Sequence, residues 1–288
     1  MYEHFADIYD EFMTEASYDL WADYIEELWK RHGGLARGGR KRRPKLVLDL
    51  ACGTGSLTAE LCRKGYEMIA VDGSAEMLEL CREKLSAVTA KPPLCLQQDM
   101  REFELYGTVD SVLCTCDSLN YLPDEEDLCR VFRLVENYLE PGGSFIFDLN
   151  TRYKFEEVLA DNTFAETSDD AAFIWENYFY EDEGINEYAV TFFERTEDGR
   201  YERHEETHYE RVFGTERVKE LLARAGLRCE AVYDAFTFDA PRADSERICF
   251  VAREYLYDQL GKKRDLGDDT VPGTDPGSAA GTVPGAEQ

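Results

Sequence analysis

One short segment constrains this chain more than any other: the apolar run Lys45-Leu46-Val47-Leu48-Asp49-Leu50, followed at once by Ala51-Cys52-Gly53-Thr54-Gly55. Entered through Pro44, the run predicts a buried parallel strand over 45–50. Two glycines one residue apart then predict a tight turn into a helix, with backbone bare enough for a ligand to approach closely. Two ligand classes use such a turn. A dinucleotide sets its pyrophosphate on the helix N-terminus and asks for a third glycine, where this chain has Thr58. Asp49 also puts negative charge near where a pyrophosphate would lie, so the turn suits a cationic ligand better than NAD.

The surrounding pattern agrees with an α/β chain. Helical and strand-like segments alternate: helix 57–64, strand 68–72, helix 75–85, strands 94–98 and 109–115, helix 124–139, strand 144–148. Such alternation predicts a Rossmann-like, doubly wound, mostly parallel sheet. Gly65 ends one helix, and Pro141-Gly142-Gly143 makes a tight connection before the last of these strands. At the N-terminus, apolar residues at three- and four-residue steps (Tyr2, Phe5, Tyr9, then Tyr24, Ile25, Leu28) predict helical segments, and with the glycine-rich basic loop they make up residues 1–43.

Between 164 and 211 the character changes. Acids outnumber bases, aromatics are dense, and Glu181-Asp182-Glu183-Gly184 and Glu197-Asp198-Gly199 separate three strand-like runs. This predicts an antiparallel β meander inserted into a sheet domain that spans 44–163 and 212–256. Helix 215–225 and strands 228–234 and 247–253 complete that domain. Residues 261–288 hold few large apolar groups, which predicts a disordered tail.

A net charge of −28 disfavours a nucleic-acid partner. The exception is a basic stretch with Arg31, Arg37, Arg40, Lys41, Arg42, Arg43 and Lys45, which reads as a solvated loop before it reads as an RNA contact. Nine cysteines without a C-x-x-C pair suit reduced thiols, and Cys114 and Cys116 lack a nearby histidine, so no metal is expected. No apolar run approaches the roughly 20 residues of a membrane span, which predicts a cytoplasmic protein without a membrane partner. The oligomeric state is not readable here.

The segment Asp49 to Gly55 resembles motif I of class I S-adenosylmethionine (SAM)-dependent methyltransferases, and the likeness continues along most of the chain. It implies an enzyme with SAM as cofactor, cradled by Asp49, Ala51, Gly53 and Gly55. Asp72, in Ala70-Val71-Asp72-Gly73-Ser74, is similar to the family's ribose-binding carboxylate, with Gly73 beside it; Ser74 and Met77 fall where the family packs the adenosine. Gln98-Asp99-Met100 resembles the segment that holds the adenine. In Cys116-Asp117-Ser118-Leu119-Asn120-Tyr121 the resemblance implies a cofactor contact from Cys116 and acceptor contacts from Asp117, Asn120 and Tyr121. Leu139-Glu140-Pro141-Gly142-Gly143 is a further signature of the family.

Tyr9, Tyr18 and Trp21 resemble contacts of an N-terminal helical segment that lies over the cofactor. The aromatic insert resembles the auxiliary sheet of small-molecule N-methyltransferases and so implies a small acceptor, amines among the candidates. His204 and His208, four apart on a strand, share one face and are the candidate general bases. The acceptor itself stays open. An RNA methyltransferase and a noncatalytic SAM-binding module are the alternatives.

Overall fold

The computed structural model describes residues 17–35, 41–196 and 198–255. The chain opens with helix α1 (Tyr18–His32), then a two-strand hairpin of β1 (Gly34–Leu35) and β2 (Lys41–Arg42), and enters the main sheet at β3 (Leu46–Leu50). From there α2 (Ser56–Arg63), β4 (Glu67–Asp72), α3 (Ala75–Val88), β5 (Leu94–Gln97), β6 (Val109–Cys114), α4 (Glu125–Tyr138) and β7 (Leu139–Asn150) follow in alternation. After a π-helical turn (Lys154–Leu159) come β8 (Thr163–Thr167), β9 (Ala171–Tyr180), β10 (Ile185–Arg195) and β11 (Tyr201–Arg211). The chain then returns through α5 (Thr215–Arg224) to β12 (Leu227–Asp234) and β13 (Arg247–Glu254).

The main sheet has seven strands in the order β12-β13-β7-β6-β3-β4-β5. All its pairings are parallel except those of β13, which runs antiparallel to both β7 and β12. Alternation along each strand sends side chains to opposite faces. Leu48, Leu50, Phe145, Phe147 and Phe250 pack under α4 and α5 with Phe132 and Leu222, whereas Val47, Leu113, Ile146 and Val251 pack under α1 with Ile25 and Leu28. Buried on both faces, these strands read as continuous apolar runs instead of alternating ones.

The helix ends fit their sequences. Ser74 caps α3 by accepting the Met77 amide at 3.1 Å, and Asp124 caps α4 by accepting the Asp127 amide at 2.9 Å. Gly65, at φ +86°, ends the α2 region as the sequence predicts.

Three features differ from the sequence reading. The insert holds four strands, ordered β11-β10-β9-β8, because the short β8 pairs along β9 although its five residues are all exposed and show no alternation. Strand β7 begins at Leu139 and runs through Pro141-Gly142-Gly143, which the sequence reads as a connection. The π-helical turn has no counterpart in the predicted elements. The first predicted helical segment, the tip of the basic loop and the expected tail at 261–288 lie outside the described residues. Among the described residues no helix is long and apolar enough to cross a membrane, and no group of three or more acidic, His or Cys side chains could hold a metal ion.

Candidate active site

A cavity of about 800 Å³ opens at the carboxyl ends of β3, β4 and β6, with the inner face of the inserted sheet as its opposite wall. Crevices in parallel sheets form there because successive strands leave in opposite directions at that edge. The cavity brings together Tyr18, Asp49, Ala51, Gly53, Asp72, Gly73, Ser74, Met77, Asp99, Met100, Cys116, Asp117, Tyr121 and His208 from the residues singled out in the sequence.

Its floor is acidic. Asp49, 1 % exposed, ends the strand pointing at the cavity and accepts a hydrogen bond from the Thr58 hydroxyl. Burial pushes its carboxyl up to about 7, with the neighbouring Asp72 adding to the rise. Thr58 therefore fills the place of a third glycine with a group that bonds to Asp49. Asp72 accepts the Gly53 amide at 2.8 Å and the Ser74 amide at 2.9 Å, one on each oxygen, which fixes the carboxylate at the end of β4 and leaves further lone pairs toward the cavity. Burial raises its pKa as well. Asp99 is gripped by Arg101, whose Nε lies 2.9 and 3.1 Å from its two oxygens, and this pairing holds its carboxyl below the ordinary range.

Five residues singled out in the sequence do not line the cavity. Gly55, at φ +75°, turns the chain into α2, and a Cβ there would meet the Cys81 Sγ at 2.4 Å; its role is close packing under the turn. Trp21 packs edge-on against Phe236 at 4.5 Å. The Gln98 side chain bonds to the backbone of Glu104. Asn120 is fully buried and donates to the Arg211 carbonyl at 2.8 Å while accepting the Asn150 amide at 3.0 Å, so it clips the insert to β7. His204 stacks on Phe192 at 5.3 Å, away from its inward neighbour His208. Tyr9 lies outside the described residues.

The other wall is a polar group largely missed by the sequence reading. The Asn150 amide nitrogen reaches Asp117 Oδ2 at 2.5 Å and Glu210 Oε2 at 3.0 Å, tying the main sheet to the insert. Arg247, from β13, pairs with Asp117 at 3.2 Å and also with Asp148. Burial opposes the charge on Asp117, but Arg247 and Lys154 hold its carboxyl below the ordinary range; Asp148, buried too, is raised despite Arg247. Burial, then the charge of Asp117, pushes the Glu210 carboxyl well above the usual carboxylate range. Lys154 donates to Asn150 Oδ1 at 3.1 Å, and burial lowers its pKa.

Tyr188 and His208 stand side by side in the register of β10 and β11, the Tyr188 hydroxyl bonding to Glu210 and His208 Nε2 lying 3.2 Å from Glu206. The buried indole Nε1 of Trp175 has no hydrogen-bond partner among the described residues. One signal in the sequence points to Glu210 and Glu206: they share the period-2 face that carries His204 and His208. Lys154 and Arg247 carry none.

Three side chains of the basic stretch have partners within the chain. Arg31 lies 3.5 Å over the Phe238 ring, Arg43 lies 3.8 Å over Tyr66 and donates to the Lys64 carbonyl, and Lys45 pairs with Glu67.

Comparison with known proteins gives the frame for this geometry. Residues 47–143 match the family model described as a methyltransferase domain. YqeM of Bacillus subtilis (strain 168), a candidate methyltransferase, is 38 % identical over 255 residues, covering 88 % of this chain and 97 % of that protein. The crystal structure of a SAM-dependent methyltransferase from Clostridium acetobutylicum ATCC 824 superposes with a TM-score of 0.76 at 33 % identity, over 88 % of this chain and 99 % of that one. A glycine/sarcosine N-methyltransferase of Halorhodospira halochloris is 25 % identical over 86 % of this chain and 91 % of its own. With a relative this similar along nearly its full length, and the acidic glycine turn at the mouth of the cavity, the chain belongs to the class I SAM-dependent methyltransferases.

Proposed function

We propose that this enzyme methylates a small acceptor, an amine, inside the cavity between the main sheet and the inserted sheet. The observation that carries the reading is the position of that cavity between two sheets. The carboxyl ends of β3, β4 and β6 supply one wall and β9, β10 and β11 the other, and the volume between them, about 800 Å³, is of the size that holds small molecules.

The residues present suit the cofactor. Asp72 has the lone pairs to accept from two ribose hydroxyls, Met77 and Met100 offer adaptable apolar surface for an adenine, and Asp49 puts a carboxyl beneath a positively charged end. Asp99 is a poorer partner for an adenine amino group, since Arg101 already occupies both its oxygens. SAM supplies a methyl group on a positively charged sulfur and leaves as S-adenosylhomocysteine. The chain's own part is to position two substrates and exclude water: Tyr18 closes one side, and Trp175 and Tyr121 present aromatic faces that favour a cation.

The internal contacts of Arg31, Arg43 and Lys45 speak against an RNA acceptor. The test is calorimetric titration with SAM and with NADH, followed by S-adenosylhomocysteine release from a panel of small amines. SAM binding with turnover on an amine is the expected result. Binding without turnover on any acceptor would favour the noncatalytic module, and NADH binding in place of SAM would refute the reading.

A further inference from the structure

Resting on the amine reading above, we infer that the acceptor enters as a protonated amine bound through Glu210, and that Glu210 takes the proton which the nitrogen must lose before it attacks. Position comes first. Glu210 points inward from β11 into the cavity that Cys116 and Asp117 also line, and the Asn150 amide joins Glu210 to Asp117 across the gap. Glu210 therefore faces the carboxyl end of β6, beside the point where the cofactor's reactive end has to lie in a sheet of this topology.

Charge comes second. Asp117 and Asp148 share Arg247, whereas among the described residues Glu210 is in no ion pair; it accepts from the Asn150 amide and the Tyr188 hydroxyl, and Lys154, whose charge acts on it, donates to Asn150 instead. It lies in an aromatic setting, with Tyr188 in T-shaped contact with Trp175 at 5.3 Å and Tyr121 edge-on to His208 at 6.0 Å. A buried carboxyl beside aromatic rings, with no cation in direct contact, is a place for a cation from outside.

The other groups facing Glu210 are Asp117, Lys154 and Tyr188, with Arg247 and Asp148 behind Asp117 and with Glu206 and His208 along its own strand. In the resting protein, burial and the charge of Asp117 favour the protonated form of Glu210. Ammonium binding drives that proton to solvent. Glu210 then accepts a proton from the nitrogen, the N–H electron pair stays on nitrogen, and the N–C bond to the methyl group forms as the C–S bond breaks with its pair on sulfur. The methylated ammonium leaves and Glu210 is again protonated, so one proton is released per turnover. A carboxylate whose pKa burial has raised suits such a transfer better than an ordinary one.

The experiment is calorimetry at pH 7 on the protein saturated with S-adenosylhomocysteine, in phosphate and in MOPS, whose ionisation heats differ and neither of which is a primary amine. The probes are glycine, ethanolamine and glucosamine, each beside a nitrogen-free analogue. At least one amine should bind the wild type with release of about one proton. Glu210→Gln should bind it at least tenfold more weakly and release none, and its S-adenosylhomocysteine affinity should stay within twofold. Glu210→Asp, which keeps a carboxylate, should retain the proton release even where its affinity falls. Amine binding and proton release unchanged in Glu210→Gln, loss of proton release in Glu210→Asp with S-adenosylhomocysteine still bound, or no amine binding to the wild type would each overturn the inference. Failure of the wild type to bind S-adenosylhomocysteine would instead overturn the cofactor reading beneath it.

Discussion

If Asp49 meets the cofactor's positive charge as proposed, cofactor binding should depend on pH in a way that can be worked out in advance. Its carboxyl is buried, bonded to Thr58, and raised to about 7 in the protein without ligand. A sulfonium and an ammonium brought into the same cavity favour the ionised form, so Asp49 releases a proton when SAM binds. The sign follows: affinity is full above pH 7 and falls as pH drops below it, because each binding event must first remove a proton. With one group titrating at about 7, the ionised fraction is roughly a tenth at pH 6 and nine-tenths at pH 8. The association constant should then fall about tenfold between those two values, equivalent to roughly 1.4 kcal/mol. Isothermal titration calorimetry from pH 6 to 8 measures it, and Asp49→Asn, which cannot ionise, should flatten the profile. Equal affinity at pH 6 and pH 8 in the wild type, or an unchanged slope in Asp49→Asn, would show that Asp49 does not meet the cofactor's charge.

Other expectations separate binding from support. Asp72→Ala should raise the SAM dissociation constant at least tenfold, both by removing an acceptor for ribose hydroxyls and by freeing the Gly53 and Ser74 amides that it holds; an unchanged constant removes Asp72 from the site. Gly55→Ala should cost about 2–5 kcal/mol in urea unfolding, combining left-handed strain with the Cys81 clash. Gly65→Ala, at φ +86° with nothing within 4 Å, should show the strain alone at about 1–2 kcal/mol, and equal losses would refute the packing argument. Asn120→Ala should lower stability by about 1–3 kcal/mol through its unpaired backbone partners while leaving SAM affinity within twofold. A large loss of SAM affinity at unchanged stability would return Asn120 to the binding site.

The wall of the cavity at the strand ends was legible because its determinants are local. Asp49, Gly53, Asp72 and Ser74 sit at strand ends and turns whose sequence signals lie within a few residues, and one topological rule carries all four to the same edge. The opposite wall was not, since Asn150, Lys154, Glu210 and Arg247 come from four separated parts of the chain and meet only when the insert folds back. The errors have the same origin. Trp21, Gln98 and Asn120 occupy the right segments, but whether a side chain faces the cavity or the interior depends on packing that spacing does not encode. The periodic face of β11 shows the reverse case: reading two histidines as a pair left out the glutamates between and beyond them.

The two halves of the cavity are joined by a charge arrangement that explains an otherwise costly backbone. Ala51, Cys116 and Asp117 all adopt left-handed conformations without being glycine, and all three line the cavity. Such conformations cost of order 1–3 kcal/mol each and persist only where surrounding contacts over-determine them. For Asp117 those contacts are visible: its amide donates to Asp148 at 3.0 Å, and its carboxylate accepts from Asn150 and Arg247. Arg247 comes from β13, the strand that runs against its neighbours, and that reversed direction places the start of the strand at the carboxyl edge of the parallel ones. An arginine at the end of a parallel strand could meet the same carboxylates only if its strand lay next to β7. The antiparallel strand therefore does more than extend the sheet: it brings one guanidinium to two buried acids at the cavity's edge, while Glu210, across the Asn150 amide, is in no ion pair among the described residues.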